Sequence, residues 1–565
     1  MTPTHREKVV LGPWPGGMNS VDIDDRISDN EVCLAQNVIF DDNGVVYYRP
    51  PVWNAGFSGL STPTTSRVCM QLLGVIKMPS GASRFLIHEG QTQSTSKVKY
   101  FDYTPGFLEA DTLTWLPDSM TGTPTKALST VVEYNNQLWF IPRTSTGGYV
   151  TNVDMTGTWA TSTAANIPQG SRALMQKDRM FVMGDSRISW SKELDPTIWT
   201  APDGGYVLIE GATSSSPLLE MFMVADTIWI FHKSGIFTLN WSEDPGVDGV
   251  LQRVSSNPVV SACTQDNRIF MFDGRDVFEV VGRNLINLSN KVNLLTDPTV
   301  ADRFSVTPFN SLEFFNFAKL HILGGYLILT HSTYTGVPAF SYVMNMRTGA
   351  WSYWNPNVKT TNASDNWPGS GGDRVATAMI KDHTGRFGIF VAGWKTDFHI
   401  VGIDFTFTFD IYNFNDAVTG QFNNGLGPTD VRFTSTSTAT WNPAVIKLVT
   451  KRYGFGDSGH TKRLYFMRAI NSLQNFTFAA YAPTWAVTVE SWESPYVTDK
   501  VTRTSQPIET IPSLVPIPLN LRFRNVVLSY DGNSAATVAH GGYRSQGMIE
   551  AIELYIRRDY QERLR

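Results

Sequence analysis

DNRIFMF, at 266–272, is a polar turn followed by a strongly apolar strand, and the chain contains three more versions of it. They are NNQLWFI at 135–141, KDRMFVM at 177–183 and ADTIWIF at 225–231. Asn and Asp favour tight turns, whereas aromatic and β-branched residues favour strands. The pattern therefore predicts hairpins that are repeated along the chain.

The repeat has a regular period. With Asn136, Asp178, Asp226 and Asp266 taken as equivalent, the copies are 42, 48 and 40 residues apart. Looser copies lie at 81–87, 324–329 and 384–390. Several short strands in each unit of about 40 to 50 residues are typical of β-propellers. The sequence therefore predicts an all-β protein, with a β-propeller of repeated four-stranded blades and additional β-rich terminal segments.

A tryptophan recurs with the same units. An acidic or amide residue, a turn and then tryptophan occur at 111–115, 154–159, 195–199 and 345–351. One blade cannot bury both of its faces alone, so neighbouring blades stack and an aromatic ring fills the gap between them. A β-sandwich with regularly spaced hairpins is the alternative. We prefer the propeller because the turn and the tryptophan repeat together.

The sequence pattern of residues 12–51 predicts a docking element that has its own local structure. Ser28 and Glu31 form a capping-box pattern for a short helix over 29–36. Apolar residues at 38–40 and 45–48 then flank a turn at 42–44, which predicts a β-hairpin.

We expect this arm to act as a clasp between subunits or domains. On this hypothesis its large apolar side chains are buried against a neighbour or another domain, and not against the blades; they are Trp14, Val38, Ile39, Phe40 and Tyr47. In the alternative, the hairpin supplies the strand that closes the propeller, by pairing with the last blade.

The chain changes character near residue 404, where a strictly alternating stretch at 405–410 precedes a Gly/Asn-rich loop. The stretch at 548–556 fits a helix or a closing strand about equally well. We predict three segments: an arm with a short helix and hairpin at 1–55, propeller blades at 56–403, and a β-rich C-terminal region at 404–565. Whether this last region completes the propeller and a platform stays open.

Composition narrows the class of protein. The 565 residues are 12% aromatic and 17% charged, which favours a packed, sheet-rich protein. The net charge of −5 gives no basic footprint for gripping nucleic acid. Cys33, Cys69 and Cys263 are scattered, and residues 1–8 have no apolar run. These features predict synthesis and folding in a cytoplasm without disulfides, and no apolar stretch is long enough for a membrane span.

Two fragments resemble parts of chymotrypsin-like proteases. GDSG at 456–459 resembles the nucleophile loop, and TVAH, which ends at His540, resembles the histidine segment. Their order is reversed relative to that family, and His460 stands where the loop needs glycine. Asp22, Asp24 and Asp25 lack the glycine and glutamate of a calcium loop. We predict no catalytic, cofactor-binding or metal site, and we predict that the protein is not an enzyme.

Four segments together resemble virion proteins of tailed bacteriophages. They are PGGMNSVD…NVIFDDNGVVYYRP at 15–50, ISWSKELDPTIW at 188–199, MNMRTGAWSYW at 344–354 and YGFGDSGHTKRLYFMRAI at 453–470. The chain is similar in these segments to the tail-nozzle (tail tubular protein B-like) and packaged-DNA-stabilisation proteins of short-tailed phages.

The resemblance implies a structural protein of the virion tail, made in the host cytoplasm. It implies a homo-oligomeric ring, of six subunits, that contacts portal and adaptor proteins and tail fibres or spikes. Such a ring retains the packaged genome and passes double-stranded DNA on ejection without reading its sequence. The alternative is a peripheral receptor-binding or glycan-degrading propeller, suggested by the Gly/Ser/Thr-rich loop at 359–372.

Overall fold

The protein is all-β in the part of the chain that the computed structural model describes. The described residues are 7–22, 26–48, 52–55, 69–90, 96–104, 107–108, 114–115, 128–143, 147–152, 167–296, 318–331, 340–354, 379–394, 397–405, 414–416, 421–422, 445–455, 461–470, 484–492, 500–504, 517–533, 549 and 551–558. No helix in these ranges has the length and apolarity needed to cross a membrane.

Six strands come first along the chain: β1 (Glu7–Leu11), β2 (Gly17–Met18), β3 (Glu31–Gln36), β4 (Val38–Phe40), β5 (Val46–Tyr48) and β6 (Val52–Ala55). Sheet 1 follows, with β7 (Cys69–Lys77), β8 (Ser83–Gly90), β9 (Ser96–Thr104), β10 (Phe107–Leu108) and β11 (Thr114–Trp115). Sheet 2 has β12 (Leu128–Tyr134), β13 (Gln137–Pro142) and β14 (Tyr149–Asn152).

Three four-stranded antiparallel sheets come next. Sheet 3 has β15 (Arg172–Gln176), β16 (Arg179–Met183), β17 (Arg187–Trp190) and β18 (Gly205–Leu208). Sheet 4 has β19 (Glu220–Val224), β20 (Thr227–His232), β21 (Gly235–Asn240) and β22 (Val250–Ser255). Sheet 5 has β23 (Ser261–Gln265), β24 (Arg268–Phe272), β25 (Val277–Val281) and β26 (Asn284–Asn287).

The remaining strands complete two more sheets of this series and the C-terminal region. Sheet 6 has β27 (Lys319–Leu323), β28 (Tyr326–His331), β29 (Phe340–Asn345) and β30 (Trp351–Trp354). Sheet 7 has β31 (Ile380–Lys381), β32 (Phe387–Trp394) and β33 (Asp397–Asp404), and β6 is its fourth strand. The others are β34 (Phe414–Asp416), β35 (Gln421–Phe422), β36 (Val445–Thr450), β37 (Lys462–Ile470), β38 (Thr484–Trp492), β39 (Lys500–Thr504), β40 (Ile517–Phe523), β41 (Asn525–Asn533) and β42 (Ala551–Arg558).

The repeated turns join the first strand of a sheet to its second strand. Both turn residues have positive φ in sheets 2 to 5, for example 50° and 57° at Asn135 and Asn136 and 52° and 61° at Asp266 and Asn267. This is the type I′ geometry that matches the twist of a two-residue hairpin. The predicted hairpins are confirmed, because each turn links two directly paired strands.

The first strands of sheets 1 to 6 lie beside one another in sequence order. Arg172 contacts Glu220 where β15 and β19 begin, and Gln176 donates to the carbonyl of Asp226 where they end. The two strands therefore run side by side in the same direction. Apolar clusters fill the spaces between sheets 1 and 2, 2 and 3, 3 and 4, and 4 and 5. Trp199, one of the predicted wedges, is buried between sheets 2 and 3.

Sheet 7 contacts both sheet 6 and sheet 1. Gly324 donates its N–H to the carbonyl of Gly385 at 2.8 Å, which joins sheet 6 to sheet 7. On the other side, the ring of Phe387 stacks on Tyr103 with 3.9 Å between centroids and meets Phe85 edge to face. Contacts between consecutive sheets thus lead from sheet 1 to sheet 7 and back to sheet 1.

The predicted helix over 29–36 is wrong, because residues 31–36 form β3. The local interaction of a capping box is present, since the Glu31 carboxylate accepts the N–H of Ser28 at 3.2 Å. However, β3 pairs with β2 and β36 along its length, and all six of its residues are buried. Pairing with distant strands overrides a helix signal that rests on one turn. The predicted hairpin is confirmed as β4 and β5.

Apolar side chains of the described arm pack inside their own chain, in part against sheet 6 and against expectation, whereas the role of the arm as a clasp between subunits stays a prediction. Trp354 donates its indole N–H to the carbonyl of Val38, and Asn345 donates to the carbonyl of Phe40, so sheet 6 covers the hairpin. Trp14 belongs to the same apolar cluster as residues of sheet 6 and the C-terminal strands. It is β6, after the hairpin, and not the hairpin itself, that pairs with the last sheet of the series.

A ten-stranded sheet draws strands from all three predicted segments. Its order is β27-β28-β29-β30-β2-β3-β36-β41-β38-β39. A second sheet places β42 between β1 and β37, so the two ends of the described chain are paired. The open choice at 548–556 is therefore settled for 551–556 as strand. The arm and the C-terminal strands are built into one core with sheet 6.

Candidate functional site

Most of the chemistry-like fragments fall outside the described residues. GDSG at 456–459 and His540 lie there, as do Asp24, Asp25 and the loop at 359–372. Asp22 is described; it is exposed and accepts the side-chain amide of Asn19 at 3.0 Å. Within the described ranges, no group of three or more His, Cys, Asp or Glu side chains is arranged to hold a metal ion.

One serine–histidine contact joins sheet 1 to sheet 7. The hydroxyl of Ser83 lies within hydrogen-bond distance of His383 Nδ1 and also accepts the N–H of His383 at 3.2 Å. The neighbouring Asp382 carboxylate accepts the hydroxyl of Thr384 and the N–H of Phe387, and so does not orient the imidazole. Ser83 is fully buried. A serine nucleophile needs an oriented base and access to substrate, so this contact serves to link two sheets.

A cluster of ionisable side chains lies on the first strands of five sheets. We call it the inner-strand cluster; its members are Arg172 on β15, Glu220 on β19, Cys263 on β23, Lys319 and His321 on β27, and Lys381 on β31. The guanidinium of Arg172 holds Glu220 in two hydrogen bonds of 2.9 and 3.3 Å. Lys381 donates to the side-chain oxygen of Gln265 at 3.3 Å, so sheet 7 reaches sheet 5 past sheet 6.

His321 is neutral and fixed in one tautomer. Its Nδ1 accepts the N–H of Met379 at 3.3 Å, so the proton belongs to Nε2, which faces the hydroxyl of Thr330 at 3.4 Å. Burial, with the positive charges of Lys319 and Arg172, lowers the pKa of His321 to about 3. Burial alone favours the neutral ring, and the two neighbouring cations act in the same direction.

The Cys263 thiol is not activated for covalent chemistry, and the Lys381 ammonium is engaged with Gln265. Burial raises the pKa of the Cys263 thiol, although Lys381 acts in the opposite direction. Burial also lowers the pKa of the Lys381 ammonium, and nearby acidic groups oppose this. A reactive cysteine needs a lowered pKa, so the Cys263 thiol is inert at neutral pH. The cluster can hold charge, but it carries no nucleophile paired with a base.

Sequence reasoning missed this cluster, although the repeat contained a signal for it. Arg172, Glu220, Ser261 and Lys319 each stand five residues before the first residue of the turn in their unit. A polar residue at this fixed position is unusual, because the position is shielded by neighbouring strands. The equivalent residue in sheet 2, Thr130, donates its hydroxyl to the carbonyl of Leu73 in sheet 1.

A second feature is the junction where the N-terminal arm meets sheet 6. Gly17 pairs with Trp351, and its φ of 68° suits glycine. A Cβ at Gly17 would lie 2.5 Å from the backbone nitrogen of Trp351. The buried Glu31 carboxylate accepts the amide of Asn19 at 2.9 Å and the ammonium of Lys291 at 2.5 Å, which ties the arm to the connection after sheet 5.

A third feature is an exposed apolar surface on the outer strands of sheets 3, 4 and 5. Tyr206 and Leu208 on β18, Val250 on β22 and Ile286 on β26 are all between 48% and 61% exposed. These strands end their sheets and have one paired neighbour each among the described strands. Apolar side chains that recur on adjacent sheet edges are typical of surfaces that bind protein.

Comparisons with known proteins do not identify a family. No family model matches the chain, and no curated protein matches it. Similar solved structures include the AfRom2 CNH domain, with 9% identity over 61% of this chain and 97% of that chain and a TM-score of 0.33. Kluyvelomyces marxianus Hsv2 is similar with 8% identity over 47% of this chain and 73% of that chain and a TM-score of 0.28. A third is the extracellular domain of a putative one component system from B. thetaiotaomicron, with 9% identity over 85% of this chain and 58% of that chain and a TM-score of 0.35. All three TM-scores are below 0.5, so these likenesses carry no argument about fold or function.

Proposed function

We propose that sheets 1 to 7 form a seven-bladed β-propeller. The circular order of contacts between consecutive sheets supports this, as do first strands that lie side by side. The pairing of β6 with β33 adds a strand from the N-terminal side to the last blade, which ties the two ends of the ring together. Such pairing protects a ring of blades from opening at its closure, because the last and first blades cannot separate without breaking the hydrogen bonds between β6 and β33.

The function that we propose for this fold is structural: a subunit of the tail-nozzle ring of a tailed bacteriophage. One observation carries the proposal. Three of the four phage-like segments meet in a single core, in which Gly17 pairs with Trp351 and Tyr453 lies in the same cluster as Met18. Segments that are far apart in sequence but resemble one family thus contact one another, as expected if the resemblance reflects a shared architecture.

Assembly into a ring of copies, six by the resemblance, agrees with the exposed apolar surface on sheets 3 to 5. The first strands leave little space inside one chain, since Lys381 on sheet 7 contacts Gln265 on sheet 5. DNA would therefore pass through the centre of the ring, between copies, and not through a single chain. The net charge of −5 suits a conduit, because each phosphate contact by lysine or arginine adds affinity that would slow translocation. The ring would contact portal and adaptor proteins and tail fibres or spikes, in virions assembled in the host cytoplasm.

The test is the assembly state of the full chain. Mass photometry and negative-stain microscopy of purified protein should show a closed ring, and mass spectrometry should detect the chain in purified virions. A chain that stays monomeric at every concentration tested and is absent from virions would refute the proposal.

The alternative, a peripheral receptor-binding or glycan-degrading propeller, depends on the loop at 359–372, which lies outside the described residues. A glycan array with a hydrolysis readout separates the two functions. Specific binding or cleavage of a host polysaccharide by a chain that forms no ring would favour the alternative.

A further inference from the structure

We propose that the inner-strand cluster binds a small oxyanion of the phosphate class, held between the Lys319 ammonium and the Arg172 guanidinium. This site does not depend on the virion function, and it does not use the exposed surface on sheets 3 to 5. The ligand class follows from the charges and hydrogen-bond donors that the cluster leaves available.

Positive charge exceeds negative charge where the first strands begin. Arg172, Glu220 and Lys319 are each the first residue of their strand. Ser261, at the same position on β23, accepts the N–H of Leu320 at 3.0 Å, which aligns the starts of β23 and β27. Two cations and a single carboxylate thus lie at the starts of aligned strands, and the carboxylate is already paired with Arg172.

Both cations have hydrogen-bond donors without an acceptor among the described residues. Arg172 uses Nε and Nη2 for Glu220, while its Nη1 has no acceptor among the described residues. The Lys319 ammonium likewise has no acceptor in the described part of the chain, although the side chain is partly buried. Guanidinium and ammonium donors in a shielded place are the groups that proteins use to bind phosphate.

His321 adds no compensating charge to the site. Burial lowers its pKa, and Lys319 on the same strand and Arg172 on the first strand of sheet 3 act in the same direction. His321 therefore contributes no charge of its own at neutral pH. The uncompensated positive potential attracts an anion, whereas a cation or an apolar ligand gains nothing there.

The test is phosphate binding by the full chain in a buffer free of other oxyanions. Isothermal titration with inorganic phosphate should give one site per chain with a submillimolar dissociation constant. Lys319→Gln should weaken binding at least tenfold, because it removes one of the two cations. Lys233→Gln, at an exposed turn residue of sheet 4, is the matched control and should leave the affinity unchanged. The proposal would be overturned if no binding is detected at phosphate concentrations up to about 10-fold above 1 mM. Equal dissociation constants for wild type and Lys319→Gln would also overturn it.

A second measurement decides the case if Lys319→Gln does not fold, as judged by circular dichroism. Crystals of the wild type soaked in tungstate, an oxyanion that scatters anomalously, should show a peak in contact with Lys319 and Arg172. A peak elsewhere only, or none, would refute the site.

Discussion

Replacement of Glu31 should destabilise the protein in a way that depends on pH. The carboxylate is 3% exposed and accepts hydrogen bonds from Asn19 Nδ2, Ser28 N and Lys291 Nζ. In Glu31→Gln, the ammonium of Lys291, which is 48% exposed, can return to water, and so can the N–H of Ser28. The side-chain amide of Asn19 stays buried and keeps the Asp22 carboxylate as an acceptor, but it loses its charge-assisted hydrogen bond to Glu31. A hydrogen bond to a charged group contributes about 1.5–3 kcal/mol, so we expect a loss of about 2 kcal/mol at pH 7.

The sign of the pH dependence follows from the folded state. Burial of Glu31 opposes ionisation, but the hydrogen bonds from Lys291, Asn19 and Ser28 outweigh it and hold the pKa of the carboxyl below its ordinary value of 4.5. The stabilisation is therefore fully present above the unfolded pKa and is lost as the pH falls through the folded pKa. The stability gap between wild type and Glu31→Gln should therefore stay constant from pH 7 down to the unfolded pKa near 4.5 and should narrow as the pH falls further.

The assay is urea denaturation followed by tryptophan fluorescence at several pH values, with Glu210→Gln as the control at an exposed carboxylate. The control should match wild type throughout. A Glu31→Gln variant as stable as the control at pH 7, or a gap that stays constant down to pH 3, would refute the reasoning about Glu31.

Four further predictions concern packing, burial, the arm and assembly. Gly17→Ala should lower the free energy of unfolding by more than about 2 kcal/mol, because its Cβ would meet the Trp351 backbone. Gly349→Ala, at a similar φ of 76° but with open space around the Cβ, should lower it by about 1 kcal/mol. Equal losses in urea denaturation would contradict this. The ring nitrogens of His88 are buried without partners among the described residues, and burial lowers the pKa of the imidazole to about 4, so wild type should lose stability as the pH falls from 6.5 to 4. His88→Leu should remove that loss in thermal melts, and an unchanged pH profile would contradict it. Deletion of 1–55 should abolish the β signal in circular dichroism, because β3 and β6 are paired inside the chain; a folded remainder would show that the arm is dispensable. Leu208→Lys, at a residue that is 61% exposed, should disrupt ring formation in mass photometry, while the melting temperature stays within about 2 °C of wild type. Intact rings would show that this surface is not part of the interface between copies.

Local sequence determined the repeated hairpins of this protein. Residues such as Asp266 and Asn267 tolerate positive φ, and the apolar residues that follow form a strand wherever a partner lies alongside. The burial of Trp199 followed from the same repeat, because an aromatic ring beside a turn fills the space between two sheets. These features depend on neighbours within a few residues, so they can be predicted from the sequence alone.

Only the tertiary structure decided which strands pair over long distances. Nothing near Ser28 and Glu31 indicates that β3 will pair with β36, and nothing near β6 indicates that it will pair with β33. The inner-strand cluster has the same origin, because Arg172 and Lys319 belong to different sheets and share one level only once the first strands are aligned. Short-range preferences are worth about 1 kcal/mol per residue or less, whereas pairing and burial over a whole strand sum to more, so long-range contacts decided the strand at 31–36.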